Sequence, residues 1–74
     1  MSEAAYLQVA RDIREQIASG QLKPGDKLPS FAALCQQYEV SNTVIRSSML
    51  LLKAEGLIDG RQGKGVYVTG LPQK

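Results

Sequence analysis

The sequence contains no histidine and only one cysteine, Cys35, in 74 residues. With neither an imidazole nor a second thiol, an intramolecular disulfide, a structural zinc site, a Ser-His-Asp triad and a Cys-His nucleophile are all excluded. The carboxylates are scattered without apparent pairing, so no enzymatic activity is expected, and no metal or cofactor. Long apolar runs are missing too: the longest, at 31–35, has five residues and that at 49–52 has four, against the roughly 18–20 that cross a bilayer. No membrane partner is expected. Met1-Ser2-Glu3-Ala4-Ala5 carries neither the basic region nor the apolar stretch of a signal peptide, and a lone thiol gives no sign of an oxidising compartment. A soluble cytoplasmic protein is the default that follows.

A chain this short supports one domain, which buries only about 60% of the surface of its unfolded form and depends on a tight core or a partner. Residues 1–70 are expected to form it, with 71–74 as a linker or frayed end. Acids are missing from one region in particular. Up to Glu39 there are four basic residues (Arg11, Arg14, Lys23, Lys27) against five acids (Glu3, Asp12, Glu15, Asp26, Glu39). From Val40 onward there are five (Arg46, Lys53, Arg61, Lys64, Lys74) against two (Glu55, Asp59), and no acid follows Asp59. A basic C-terminal part points toward a polyanion, but solvated surfaces carry similar surpluses, so the sequence pattern must discriminate.

What is present is a run of well-punctuated elements. Tyr6, Val9, Ala10, Ile13 and Ile17 fall at the three-and-four spacing of one helix stripe, predicting a helix over 4–19 with Ser2 as N-cap and Gly20 just past its end. Lys23-Pro24-Gly25-Asp26 suits a type II turn, and Lys27-Leu28 leaves room for a short strand. Ser30 then caps a helix over 31–38, with Phe31, Leu34, Cys35 and Tyr38 on one face. Cys35 is most simply a small buried apolar residue there, and Tyr6 and Tyr38 are expected in the core. Ser41 caps a longer helix over 42–55, with Ile45, Met49 and Leu52 in line and Val44, Ser48 and Leu51 beside it, ending at Gly56. Leu57-Ile58-Asp59 and Val66-Tyr67-Val68 suit two strands around the glycine-rich loop 60–65. The expected fold is mainly α with a small β-hairpin: a winged helix-turn-helix of three helices and a two- or three-stranded antiparallel wing.

From about Tyr6 to Val68 the chain resembles the N-terminal DNA-reading head of GntR-type bacterial transcription regulators. The resemblance rests on Pro24-Gly25-Asp26-Lys27-Leu28-Pro29-Ser30, on Val40-Ser41 with Thr43 and Arg46, on Leu52 and Glu55-Gly56-Leu57-Ile58, and on Gly63-Lys64-Gly65 with Val68. It implies sequence-specific binding of double-stranded DNA, usually for repression, by two copies related by a twofold axis on a pseudo-palindromic operator, hence a homodimer on DNA. It also implies a larger C-terminal effector-binding and dimerising domain. The 74 residues leave no space for that domain, so the chain is expected to be either an excised head or an unusually short member. Four positions depart from the family pattern. Phe31 and Ala32 stand where an acidic and then a DNA-contacting basic residue are usual, Asn42 where arginine is usual, and Glu39 where glycine is common. The operator is therefore expected to differ from the family's usual half-site. Glu39 is expected to cost up to about 1 kcal/mol if its φ is positive.

The expected DNA-contacting residues are Ser30, Ser41, Asn42, Thr43, Arg46 and Ser47, with Arg61, Gln62, Gly63 and Lys64 in the wing. The major groove admits one α-helix, read by the residues of its N-terminal part. Arg46 has the fork to bond guanine O6 and N7, and Asn42 the amide to bond adenine N6 and N7; either also suits phosphate. Ser41, Thr43 and Ser47 suit base or backbone contacts, reinforced by the positive end of the helix dipole. Arg61 and Lys64 flank a glycine tip that permits close approach to a groove or phosphate, with Gln62 as a further polar contact. Read blandly, Ser41 is only an N-cap, Asn42 and Thr43 are solvated, Arg46 is a surface salt bridge and the tip is a solvated turn. The helix pair, the wing and the resemblance together favour DNA. The glycine loop lacks Walker A spacing and precedes a strand, which argues against nucleotide binding. The tyrosines at core-facing positions argue against single-strand stacking. The competing expectation is a winged-helix protein-interaction module whose basic patch is incidental.

Overall fold

The computed structural model describes residues 4–61 and 65–70, and within them α1 (Ala5–Ser19), α2 (Phe31–Tyr38), α3 (Asn42–Ala54), β1 (Ile58–Arg61) and β2 (Gly65–Val68) follow in that order. This is the expected winged helix-turn-helix. β1 and β2 pair antiparallel in the register Ile58↔Val68, Asp59↔Tyr67, Gly60↔Val66 and Arg61↔Gly65.

The predicted third strand is reduced to a single bridge, Lys27↔Tyr67. Around it the Leu28 N–H donates to the Val66 carbonyl (2.8 Å) and the Val68 N–H to the Asp26 carbonyl (2.8 Å). The Pro24-Gly25 turn explains why the pairing stops. Gly25 takes φ +97° while its N–H donates to the Val68 carbonyl at 2.7 Å, so the chain bends away from β2.

The core unites every element. Val9, Ala10, Ile13 and Ile17 of α1, Leu34 of α2, Ile45, Met49 and Leu52 of α3, and Leu28, Leu57, Ile58 and Val68 are all buried. The helix stripes therefore face inward as their spacing predicts. Ser48, a fully buried polar residue, donates its hydroxyl to the Tyr6 carbonyl (2.8 Å) or to the Val44 carbonyl (2.9 Å), tying the first turn of α1 to α3. At the other end of α3 the Arg14 guanidinium grips both Glu55 carboxylate oxygens at 2.9 and 2.7 Å, and that bond raises the arginine pKa further.

Both predicted serine caps form: Ser30 Oγ accepts from the Ala33 N–H at 3.1 Å, and Ser41 Oγ from the Val44 N–H at 3.4 Å. No side chain caps α1, whose N-cap residue is Ala4; Ser2, expected in that role, lies outside the described residues. The expectation for Tyr6 needs correction, because it is 38% exposed. The inward stripe of α1 begins only at Val9, so Tyr6 has its carbonyl tied to Ser48 while its side chain stays partly in solvent. Cys35 is also only half-buried rather than a core residue, since its place at the end of α2 borders the surface turn. The last helix stops at Ala54, one residue early, with Glu55 as its cap, and the first strand begins at Ile58, with Leu57 buried just before it.

Glu39 ends α2 at φ 56° and ψ 48°, the left-handed conformation that costs a side-chain-bearing residue energy. Glu39→Gly is expected to raise stability by about 0.5–1 kcal/mol, the relief of strain being partly offset by the freer unfolded chain. Urea denaturation checks this: a midpoint that stays put or falls shows the conformation is unstrained.

Tyr38 is half-buried where α2 meets α1; its hydroxyl donates to Asp12 Oδ2, and the Gln16 amide donates to the same carboxylate oxygen at 3.1 Å. Burial first, then the hydrogen bond to Asp12 and its charge, push the phenol up to about 12 from the ordinary 10.0. A raised phenol pKa stabilises the fold fully below pH 10.0, and that contribution is lost as pH climbs from 10.0 through about 12. Wild type is therefore expected to lose more stability over that interval than Tyr38→Phe, in denaturant titrations at fixed pH steps. Parallel losses in the two proteins would remove Tyr38 as the cause.

Candidate nucleic-acid interface

α3 presents two faces set by its own sequence. Ile45, Ser48, Met49 and Leu52 turn inward, leaving Asn42, Thr43, Arg46, Leu50 and Lys53 exposed along the outer line. Ser47 is half-buried at the margin of that line, one turn beyond Thr43. Because the outer residues are spaced by three and four, Arg46 projects one turn beyond Asn42 on the same face.

The helix pair brings two capped N-termini to the surface. Ser30 and Ser41 are both exposed, and each hydroxyl accepts a backbone N–H while keeping its own proton to donate. The free amide groups at such a helix start carry partial positive charge and favour a phosphate.

Two concavities join these parts to the hairpin. Between α3 and the sheet lies a groove of about 160 Å³ lined by Phe31, Arg46, Met49, Leu50, Lys53, Ile58, Gly60 and Val66. Phe31 and Val66 also border a neighbouring hollow with Lys27, Ser30 and Gly65. The start of α2, the outer line of α3 and the base of the wing therefore form one continuous face. Its side-chain charges are mostly basic. Arg46 makes no ion pair among the described residues, and Lys53 only approaches Asp59, at 4.0 Å between exposed side chains. A separate hollow of about 510 Å³ lies along α1 beside Asp12 and Glu15, where like charge would repel a polyanion.

The structure thus gathers Ser30, Ser41, Asn42, Thr43 and Arg46 around one face, with Ser47 at its edge. Gln62, Gly63 and Lys64 and the Arg61 side chain lie outside the described residues; the Arg61↔Gly65 pair is the last described rung of the wing. Sequence reasoning missed Lys27, Phe31, Leu50 and Lys53 as members of this face. Leu50 and Lys53 were discoverable, since they continue the line from Asn42 and Arg46. Lys27 was not, because its aliphatic chain crosses Gly65 only in the folded chain: a Cβ on Gly65 would meet Lys27 Cε at 2.7 Å. Asn42 is also less free than expected, as its Oδ1 accepts from the Cys35 thiol at 3.4 Å. Among the described residues no cluster of metal-ligating side chains occurs, and no helix is long and apolar enough to cross a membrane.

Residues 5–68 match the family model of bacterial regulatory proteins, gntR family. The chain is 44% identical over 63 residues to the mannosyl-D-glycerate transport/metabolism system repressor MngR of Escherichia coli K12, covering 85% of this chain and 26% of that protein. It is 46% identical over 52 residues to the HTH-type transcriptional regulator LutR of Bacillus subtilis 168, covering 70% of this chain and 24% of that one. The chain therefore spans about a quarter of the length of these curated relatives. Among solved structures, AraR(DBD) in complex with operator ORX1 superimposes with a TM-score of 0.89 at 34% identity, covering 92% of this chain and 82% of that one.

Proposed function

Because the chain belongs to the gntR family of bacterial regulatory proteins, we propose that it is the operator-reading domain of a transcription regulator, binding double-stranded DNA and catalysing nothing. The observation that carries this is the single face on which the outer line of α3, two serine-capped helix starts and the hairpin base converge around Arg46, which has no ion-pair partner among the described residues. A solved neighbour with this fold is bound to an operator, which supports the same reading.

In this arrangement α3 enters the major groove, Arg46 and Asn42 read base edges, and Thr43 and Ser47 add base or backbone contacts. Ser30 and Ser41 hold phosphates at the two helix starts. Arg61, Gln62, Gly63 and Lys64 reach the adjacent groove or backbone. Two chains related by a twofold axis cover a pseudo-palindrome, and a C-terminal effector-binding domain supplies dimerisation and the response. The outcome is repression, the role that the name of the repressor MngR carries, and it takes place in the cytoplasm. Without a linked second copy, binding by this chain is modest and falls steeply with salt, because each neutralised phosphate releases counterions.

One observation favours a different occupant. Leu50 is 63% exposed beside an apolar groove, as a surface that docks protein would be. An amide NMR titration with generic duplex DNA at low and then near-physiological salt separates the two. Shifts centred on 41–47 and 60–65 that fade with salt support DNA reading. No shift at low salt, or shifts confined to α1, overturn it in favour of protein docking.

A further inference from the structure

Cys35 and Asn42 meet across the turn that joins α2 to α3. The turn holds its own shape: the Val40 N–H donates to the Cys35 carbonyl at 3.1 Å, Glu39 takes the left-handed conformation, and Ser41 caps the next helix. The Cys35 side chain is half-buried and packs partly against the core. From there the thiol donates to Asn42 Oδ1 at 3.4 Å. Asn42, the first residue of α3, is exposed on the face argued above to read DNA.

An asparagine amide has a carbonyl oxygen that accepts and an NH₂ group that donates, and the two ends are distinguished only by their partners. Bidentate recognition of adenine needs both: the oxygen takes the N6 proton while the NH₂ donates to N7. With its oxygen held by the Cys35 thiol, the amide is turned so that the NH₂ is the end left for an incoming base. We propose that Cys35 is a positioning residue that orients the Asn42 amide, so that Asn42 reads the operator as a hydrogen-bond donor and selects guanine, which presents two acceptors (O6 and N7), over adenine, whose N7 accepts but whose N6 amino group sets a second donor against the amide NH₂. This inference rests on the DNA-reading function proposed above and specifies how one of its residues chooses a base.

A sulfur donor is weak, so its effect is a bias in preference rather than an absolute filter. The test is selection from randomised duplexes by the 74-residue chain and its Asn42→Ala, Cys35→Ser and Cys35→Ala variants, followed by competition binding on single-base operator variants. Asn42→Ala locates the base pair that Asn42 reads, by the preference lost there. At that pair wild type and Cys35→Ser, which keeps a donor at the same place, are expected to favour guanine over adenine. Cys35→Ala is expected to raise the relative affinity for adenine by about three- to ten-fold, the worth of one weak hydrogen bond.

A purely structural loss in Cys35→Ala would weaken all sequences alike and leave the preference at that pair intact, which overturns the inference. So does a wild type that favours adenine there, or an operator in which no base pair depends on Asn42. If wild type selects no sequence at all, the preference assigned to Arg46 is absent too, and the DNA-reading function itself is overturned.

Discussion

Arg46→Ala is expected to bind the selected operator about 5- to 150-fold more weakly than wild type, the equivalent of about 1–3 kcal/mol for a lost bidentate contact to guanine. The arginine is exposed on the outer line of α3, and among the described residues it makes no ion pair that would hold it elsewhere. Its guanidinium presents a planar fork that matches O6 and N7 of one guanine, and alanine leaves those acceptors unpaired in a partly dehydrated groove. Preference should therefore relax at one base pair and stay intact elsewhere. Lys64→Ala provides the contrast. A wing lysine on phosphate carries no sequence information, so its loss should weaken every duplex alike and make the salt slope shallower by about one unit. Competition anisotropy with point-substituted duplexes at two salt concentrations measures both. If Arg46→Ala binds the operator as tightly as wild type, the reading helix has been misassigned. Because the side chain is outside the core, thermal unfolding of Arg46→Ala should match wild type.

Leu52→Ala is expected to cost about 2–5 kcal/mol of stability, the lost transfer energy together with a cavity that close-packed neighbours fill only in part. Leu52 has no exposed surface and belongs to the α3 stripe that packs with α1. A domain of this size has a total stability of only about 4–11 kcal/mol at typical values per residue, so one truncation removes a large share of it. Urea denaturation should show the midpoint falling at unchanged slope, and DNA affinity should fall in proportion to the folded fraction. Unlike Arg46→Ala, the loss should be the same for every base-pair variant of the operator. A change below about 1 kcal/mol would mean that the core closes around the missing side chain more completely than cores of this density do.

The architecture was largely legible because its signals are local. Val9, Ile13 and Ile17 repeat at the helical period, Ser30 and Ser41 sit where the first amide groups need an acceptor, and Gly20, Gly25 and Gly56 stand at positive φ. Each rule operates within about one helical turn, so the chain states it directly. The errors came where a helix ends and its cover runs out. Tyr6 continues the apolar stripe of α1 in sequence, yet its side chain is partly exposed, ahead of the buried stripe that starts at Val9. Cys35 shares a face with Leu34, yet the surface turn begins beside it.

The candidate face was legible in the same measure. Ser30, Ser41, Asn42, Thr43 and Arg46 were identifiable from their places at helix starts, and periodicity alone put Leu50 and Lys53 on the same line. By itself the sequence determined the three helices and the two hairpin strands, their ends to within two residues, and the family to which they belong, since these follow from period, caps and turn residues. Only the tertiary structure decided that Lys27 crosses Gly65 at the wing base, that Ser48 ties α3 to the first turn of α1, and that the Cys35 thiol holds the Asn42 amide. The physical reason is that hydrogen bonds and van der Waals contacts act over a few ångströms. Their partners, 7 residues apart for Cys35 and Asn42 and 42 for Ser48 and Tyr6, come within that range only after the core has placed the elements that carry them.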